Sequence, residues 1–531
     1  MLPRNWSMNQ RWVMHIGVLA LCLIPSIAVG LAGLSRPYDA IPDQDLLWAS
    51  EALRLIRGVA PSYADHPGAF WTLIYRANIW ITQSLGNTEI LDNALAITPE
   101  GIQSIIRMAR VENAVLAGLC AYLVFPLCLA LGIRGGLAAS LAAICGSSSA
   151  VLVGVSEIRH EIISVAFLMT ALISYSACIV SNSQFARRSL SIVAIGLYFC
   201  AAFSKNQALL LTPLAWLAVL SIYSKINSNP DSPSSFRKLR PKHFALYSAY
   251  CALPWLFSAY PDIDFINMPF WVVINAGLAF MFATGWASEL NQKSFSRAIA
   301  ITGIAEVFIF KVVSPQWWRQ GVTGFPSWMF RYSNTVENKT LDPLSHTAAG
   351  IASYFSNLFN PESIALVSLA IALVVSAATI LRSLQNKGWQ CLPKQAQSLA
   401  WIGCGFILLS CSQRIASRYE IYIFVPVLIS AAIAVESQWP RLRVDSSERQ
   451  HSSQMALSIC GIALLAASAT KSAENLLDLN RFVNSGQSRD VLCIGHHMDR
   501  SMHLTSAGNC PVFPKGAADK NIYDSWWGPG R

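Results

Sequence analysis

The sequence predicts an all-α, polytopic transmembrane protein of roughly 12–13 spans. Its 531 residues are 53% hydrophobic and only 13% charged, about half the charged fraction usual in soluble proteins. Apolar runs of about 17–22 residues recur along the chain, each long enough to cross the hydrocarbon core of a bilayer. Basic residues cluster in alternate short connections, as cytoplasmic loops require. The formal net charge of +10 is therefore read by location, as a topology signal, and not as a nucleic-acid footprint.

The expected spans are 12–33, 111–131, 136–155, 160–180, 190–204, 207–222, 244–260, 270–287, 297–313, 361–381, 397–412, 419–436 and 454–470. The first follows Arg4 and Arg11 and is read as an uncleaved helix, because its apolar core exceeds that of a signal peptide and further spans follow. With the N-terminus inside, the inner loops receive Arg134, Arg187 and Arg188, the Lys225–Lys242 cluster, Lys293 and Arg297, Arg382 to Lys394, and Arg441 to Arg449. Residues 190–222 form one apolar stretch flanked by basic loops. Two short spans with Ser204-Lys205-Asn206-Gln207 at their tip keep both basic loops on one side, whereas a single tilted helix would separate them. The transmembrane domain thus covers 1–470, with a first large outer loop at 34–110, a second at 314–360, and an outer tail at 471–531. Most of the 13 cysteines lie in apolar runs, where Cys acts as a small hydrophobe. No metal-ligand spacing appears. Cys493 and Cys510 share the polar tail and suit a disulfide if it lies outside the cytoplasm.

Ionisable residues collect on the outer side. In loop 34–110, DLLWASEALRLIR (45–57) places Leu46, Ala49, Leu53 and Ile56 on one helical face before Gly58, the pattern of a helix lying in the interface. Asp43 or Asp45 stands at its start, where an aspartate either simply caps the helix and complements its dipole or, since one cap suffices, one of the pair is a catalytic carboxylate. His66-Pro67-Gly68 precedes a second interfacial or shallowly re-entrant stretch, FWTLIYRANIWITQSL (70–85), and marks either a helix start or a binding histidine. Glu157, Arg159, His160 and Glu161 crowd one membrane edge, where ionisable groups either line a cavity or pair in a salt-bridged hairpin. Lys205 sits in the 204–207 turn, as a phosphate-binding point charge or a snorkelling lysine. Arg418 and Tyr419, with Glu420, open a late span; Arg suits fork-like binding of phosphate and also anchors interfaces. Aromatic residues beside cations in loop 314–360 suit both sugar stacking and an interface.

In order and side, these motifs resemble those of the GT-C type of polytopic glycosyltransferases, near the branch of protein O-mannosyltransferases and aminoarabinose transferases. Asp43-Gln44-Asp45 is similar to the family's acidic motif after the first span, although the acids there are adjacent. His66-Pro67-Gly68 is similar to a His-Pro-Pro, Arg159-His160-Glu161 to an Arg-x-acid motif, the Lys205 turn to a lysine-containing turn, and Arg418-Tyr419 to a late Arg-Tyr motif. The resemblance implies an inverting transfer of a sugar from a polyprenyl-phosphate donor to an extracytoplasmic acceptor. Asp43 or Asp45 would be the base, and Lys205, Arg418 and Arg159 would hold the donor phosphate. His66, Glu157, His160, Glu161 and Tyr419 would bind substrate, with no metal ligand identified and any divalent-metal requirement open. The partners are the bilayer, the lipid-linked sugar and a glycan, lipid or protein acceptor. The membrane expected is the bacterial cytoplasmic one, its site facing the periplasm, with the endoplasmic reticulum as the other setting. A flippase or transporter for lipid-linked sugars, a polysaccharide polymerase or ligase, and a non-catalytic scaffold are the rival classes. Reporter fusions within 41–68 and at the Lys205 turn are expected to report the same, non-cytosolic compartment; opposite compartments would remove the common site.

Overall fold

In the computed structural model, the described residues are 7–35, 45, 48, 49, 52, 56, 69–86, 89, 99–152, 155, 158–181, 183–204, 421, 425, 428, 429, 432 and 433. They contain helices and no strand. The helices are α1 (Met8–Gly33), α2 (Ala69–Ser84), α3 (Pro99–Ala130), α4 (Gly135–Ser147), the single turn α5 (Ser149–Leu152), α6 (His160–Val180) and α7 (Gln184–Ser204). Three segments, Met8–Gly33, Gln103–Ala130 and His160–Cys178, are long and apolar enough to cross a membrane. The six described residues between 421 and 433 are helical and buried at helical spacing, within the expected span 419–436. The remaining expected spans beyond 204, loop 314–360, and the tail with Cys493 and Cys510 lie outside the described residues.

Local chemistry sets the helix ends. Ser7 and Gln10 form a reciprocal capping box at the start of α1, satisfying two N–H groups the first turn leaves open. Gly132, with φ of 87°, ends α3. Its N–H and that of Ile133 donate to the carbonyls of Leu129 and Cys128, a closing turn that needs a left-handed residue. Ser183 accepts the N–H of Ala186 and starts α7.

Two boundaries differ from those expected. The helix expected from 111 begins at Pro99, because Ile105, Ile106 and Ala109 are buried at helical spacing although Arg107 and Arg110 lower the local hydropathy. The span expected over 136–155 breaks at Ser148, whose backbone is extended. The hydroxyls of Ser147 and Ser148 donate to carbonyls of the preceding turn, and such local bonds compete with helix continuation.

Helices α1, α3 and α4 approach closely along small residues. A Cβ added at Gly118 would lie 2.6 Å from Ser26 Oγ, and 2.7 and 2.9 Å from Leu23 Cδ2 and Cα. One added at Gly30 would lie 2.5 Å from Ala114 Cβ, and one at Gly146 would lie 3.0 Å from Cys22 Cα. Small residues let helices pack in lipid, where tails compete equally for apolar surface. Cys22, Cys120 and Cys145 are buried free thiols among these helices, and Cys22 Sγ donates to the Ala142 carbonyl.

The chain alternates through the bundle. One end gathers Gly33, Asp45, Arg110 and Ile158, and α7 finishes there, since Ser164, one turn into α6, donates to the Ala201 carbonyl near the end of α7. Arg11, Arg134, Arg187 and Arg188 belong to the opposite end, at the start of α1, the α3–α4 turn and the start of α7. Gly118→Val is expected to cost about 1–3 kcal/mol through overpacking and to lower the thermal midpoint in detergent. Gly17→Ala, where an added Cβ meets nothing within 4 Å, is expected to leave the midpoint unchanged or raise it slightly.

Candidate functional site

The site begins with one carboxylate. Asp45 lies in the loop after α1, with no exposed side-chain surface. Its Oδ2 accepts from Arg110 Nε at 3.0 Å and from Arg110 Nη2 at 2.6 Å. Its Oδ1 accepts the backbone N–H of Ile158 at 2.7 Å. Arg110, equally buried, also donates from Nη1 to the Gly33 carbonyl at 3.1 Å. One turn earlier on α3, Arg107 Nε donates to the Leu34 carbonyl at 3.1 Å. Two arginines of α3 thus complete the carbonyl end of α1, where cations also complement the helix dipole.

Asp45 was a candidate for either a helix cap or a catalytic group. The partners described for it are tertiary, the Arg110 guanidinium on α3 and the Ile158 N–H ahead of α6. In the helical segment that follows, Trp48, Ala49 and Ala52 are buried and Ile56 is half-buried. Ala49 and Ile56 fall on the expected apolar face, while Leu46 and Leu53 lie outside the described residues. The buried face packs against Tyr75 and Ile79 of α2, Ile105, Ile106 and Ala109 of α3, and Ile158 and Ile163.

The second expected cluster meets the first. Arg159, His160 and Glu161 are all buried at the start of α6, with Arg159 extended at the cap position. The His160 ring meets Trp48 edge to face, with centroids 3.9 Å apart and an interplanar angle of 78°. Asp45 and Trp48 therefore hold the chain on both sides of Arg159, across more than a hundred residues of sequence. Asp43, His66, Glu157, Lys205, Arg418 and Tyr419 lie outside the described residues; Ser204, which precedes Lys205, ends α7 at this end of the bundle.

Helix α2 closes the flank through a polar seam with α3. The Tyr75 phenol donates to the Ile105 carbonyl and Thr82 Oγ1 to Met108 Sδ at 3.5 Å. Glu112 Oε2 is buried with no hydrogen-bond partner among the described residues. Burial, and then the charges of Glu112 and Asp45, push the Tyr75 phenol well above its ordinary range, against an opposing pull from Arg110; Tyr75 is a neutral donor at any physiological pH. The opposite face of α2 exposes Arg76, Trp80 and Ile81, in keeping with a helix at an interface.

Arg110 and Glu112 escaped the sequence reading. Both fall where a span was expected to start, so each resembled an ordinary interfacial charge. The available signal was the spacing of Ile106, Ala109, Arg110 and Asn113, which puts the arginine on the buried stripe of α3. Among the described residues, no group of three His, Cys, Asp or Glu side chains is placed to hold a metal ion.

No family model matches the chain, and no curated protein matches it. Among solved structures it is similar to the crystal structure of the Archaeoglobus fulgidus oligosaccharyltransferase in the apo form, at 12% identity and a TM-score of 0.48. That match covers 90% of this chain and 57% of the archaeal one, so the chain spans little more than half of that protein's length.

Removing one member of a buried ion pair leaves the other charge uncompensated, at about 3–5 kcal/mol. Arg110→Ala is therefore expected to lower stability by that order, seen as a large fall in thermal midpoint in detergent. Arg110→Lys is expected to recover only part of the loss, because a point charge cannot also reach the Gly33 carbonyl in the guanidinium's planar geometry.

Proposed function

We propose that this chain is a membrane glycosyltransferase that moves a sugar from a polyprenyl-phosphate carrier to an extracytoplasmic acceptor, with inversion at the anomeric carbon. The observation that supports this most is convergence. Asp45 and Trp48 of the stretch after α1, the Arg159-His160-Glu161 edge and Ser204, which ends α7 just before Lys205, share one end of a helical bundle. The GT-C-like motif order requires that juxtaposition.

In the proposed reaction a carboxylate of the Asp43/Asp45 pair takes the proton of an acceptor hydroxyl. The hydroxyl oxygen bonds to the anomeric carbon from the face opposite the phosphate, and the bond from that carbon to the phosphate oxygen breaks. The lipid phosphate leaves with the electron pair, its charge held by Lys205, Arg159 and Arg418. His66, Glu157, His160, Glu161 and Tyr419 contact the sugar and acceptor. The prenyl chain stays in lipid beside the bundle, and the membrane is the bacterial cytoplasmic one with the site facing the periplasm. A flippase would instead need polar groups through the midplane, where the described helices are close-packed by small residues.

Purified protein incubated with a panel of polyprenyl-phosphate sugars is expected to consume at least one of them. Asp43→Asn is expected to lower turnover by about 10²–10⁴-fold, the usual weight of a general base, while donor binding persists. Lys205→Ala is expected to weaken use of the donor. Failure to consume any donor in the panel would overturn the reading.

A further inference from the structure

The Asp43/Asp45 pair offers two carboxylates for one proton transfer, and the geometry separates their duties. Asp45 accepts three hydrogen bonds within 3.0 Å, two from Arg110 and one from the Ile158 N–H, and its side chain has no exposed surface. A general base needs a lone pair within reach of the acceptor hydroxyl and a route for that hydroxyl to arrive. What Asp45 reaches is the backbone immediately ahead of Arg159. One turn along the same segment, Trp48 packs its ring against His160. The partner guanidinium fixes the other side of the arrangement through the Gly33 carbonyl at the end of α1.

We infer that Asp45 is a positioning residue that, neutralised by Arg110, sets the Arg159–Glu161 edge, and that proton acceptance belongs to Asp43. The assignment to Asp43 rests on the transferase reading; the positioning role of Asp45 rests on the contacts alone. Such a role explains two acids one residue apart in an otherwise apolar protein. One carboxylate is consumed by holding the loop against α3 and α6, which leaves the other for chemistry.

The test uses the full chain in proteoliposomes with the polyprenyl-phosphate sugar that the unaltered protein consumes. Asp45→Asn alone strands a buried guanidinium and is expected to lose thermal stability. Asp45→Asn combined with Arg110→Gln removes both charges of the buried pair and keeps hydrogen-bonding groups on both sides. That double variant is expected to regain the thermal midpoint and to hold kcat within about tenfold of the unaltered protein, short of the 10²–10⁴-fold weight of a general base. Its acid limb of kcat/KM against pH is expected to stay in place. A stable double variant as inactive as Asp43→Asn, or one whose acid limb disappears, would overturn the inference and make Asp45 the base. A second readout needs no turnover. In a protein carrying Arg159→Cys, the rate of modification by a membrane-impermeant maleimide is expected to rise at least about tenfold when Asp45→Asn is added. An unchanged rate overturns the positioning role. If the unaltered protein consumes no donor while this rate does rise, the transferase reading fails and the positioning role stands.

Discussion

The arrangement depends on a carboxylate and a guanidinium that meet with no contact to solvent. At the effective dielectric that describes protein sites, two charges about 4 Å apart attract by about 4 kcal/mol, and removing both from water cancels much of that. The pair between Asp45 and Arg110 is therefore a device of specificity more than a source of net stability. Neither charge tolerates burial alone, so the loop after α1 has one low-energy way to sit on α3. The remaining valences extend the constraint, since the Gly33 carbonyl and the Ile158 N–H are satisfied by the same two side chains. Four chain segments are fixed relative to one another by groups that would each be costly to leave unbonded.

That constraint works because the rest of the bundle is closed. Gly30 and Gly118 bring α1 and α3 together, and Gly146 brings α4 against α1. At the Gly118 crossing the helices leave room for the hydroxyl of Ser26 and for no added side-chain carbon. Among the described residues, Asp45, Arg110, Arg159, His160 and Glu161 gather at one end, and Arg11, Arg134, Arg187 and Arg188 at the other. The His15–Tyr122 hydrogen bond of 2.8 Å joins α1 and α3 on their basic half.

The polar seam between α2 and α3 adds a second layer. Tyr75 and Thr82, two turns apart on α2, meet a carbonyl and a thioether of α3. Directional bonds of this kind fix the register of α2 on α3 together with the burial of Ile79. The helix is thereby held with Tyr75 close to the ion pair and Trp80 on its exposed side.

The periodicity of apolar residues was enough to place α6, whose bounds of His160 and Val180 are those the sequence indicates, and to end α1 at Gly33. It was enough because a span is a local property: length, hydropathy and capping residues are all read from neighbours in the chain. The acidic loop and the Arg159-His160-Glu161 edge were also legible as ionisable residues out of place in an apolar sequence. Their mutual contact was not, and neither was the part played by Arg110. Which buried charge pairs with which is decided by the packing of α1, α3 and α6, since an arginine at a span boundary looks the same in sequence whether it faces lipid headgroups or an aspartate 65 residues away. The sequence by itself determined where helices and charges lie, and tertiary structure alone decided which charge meets which, because that choice follows from the desolvation that only assembled helices impose.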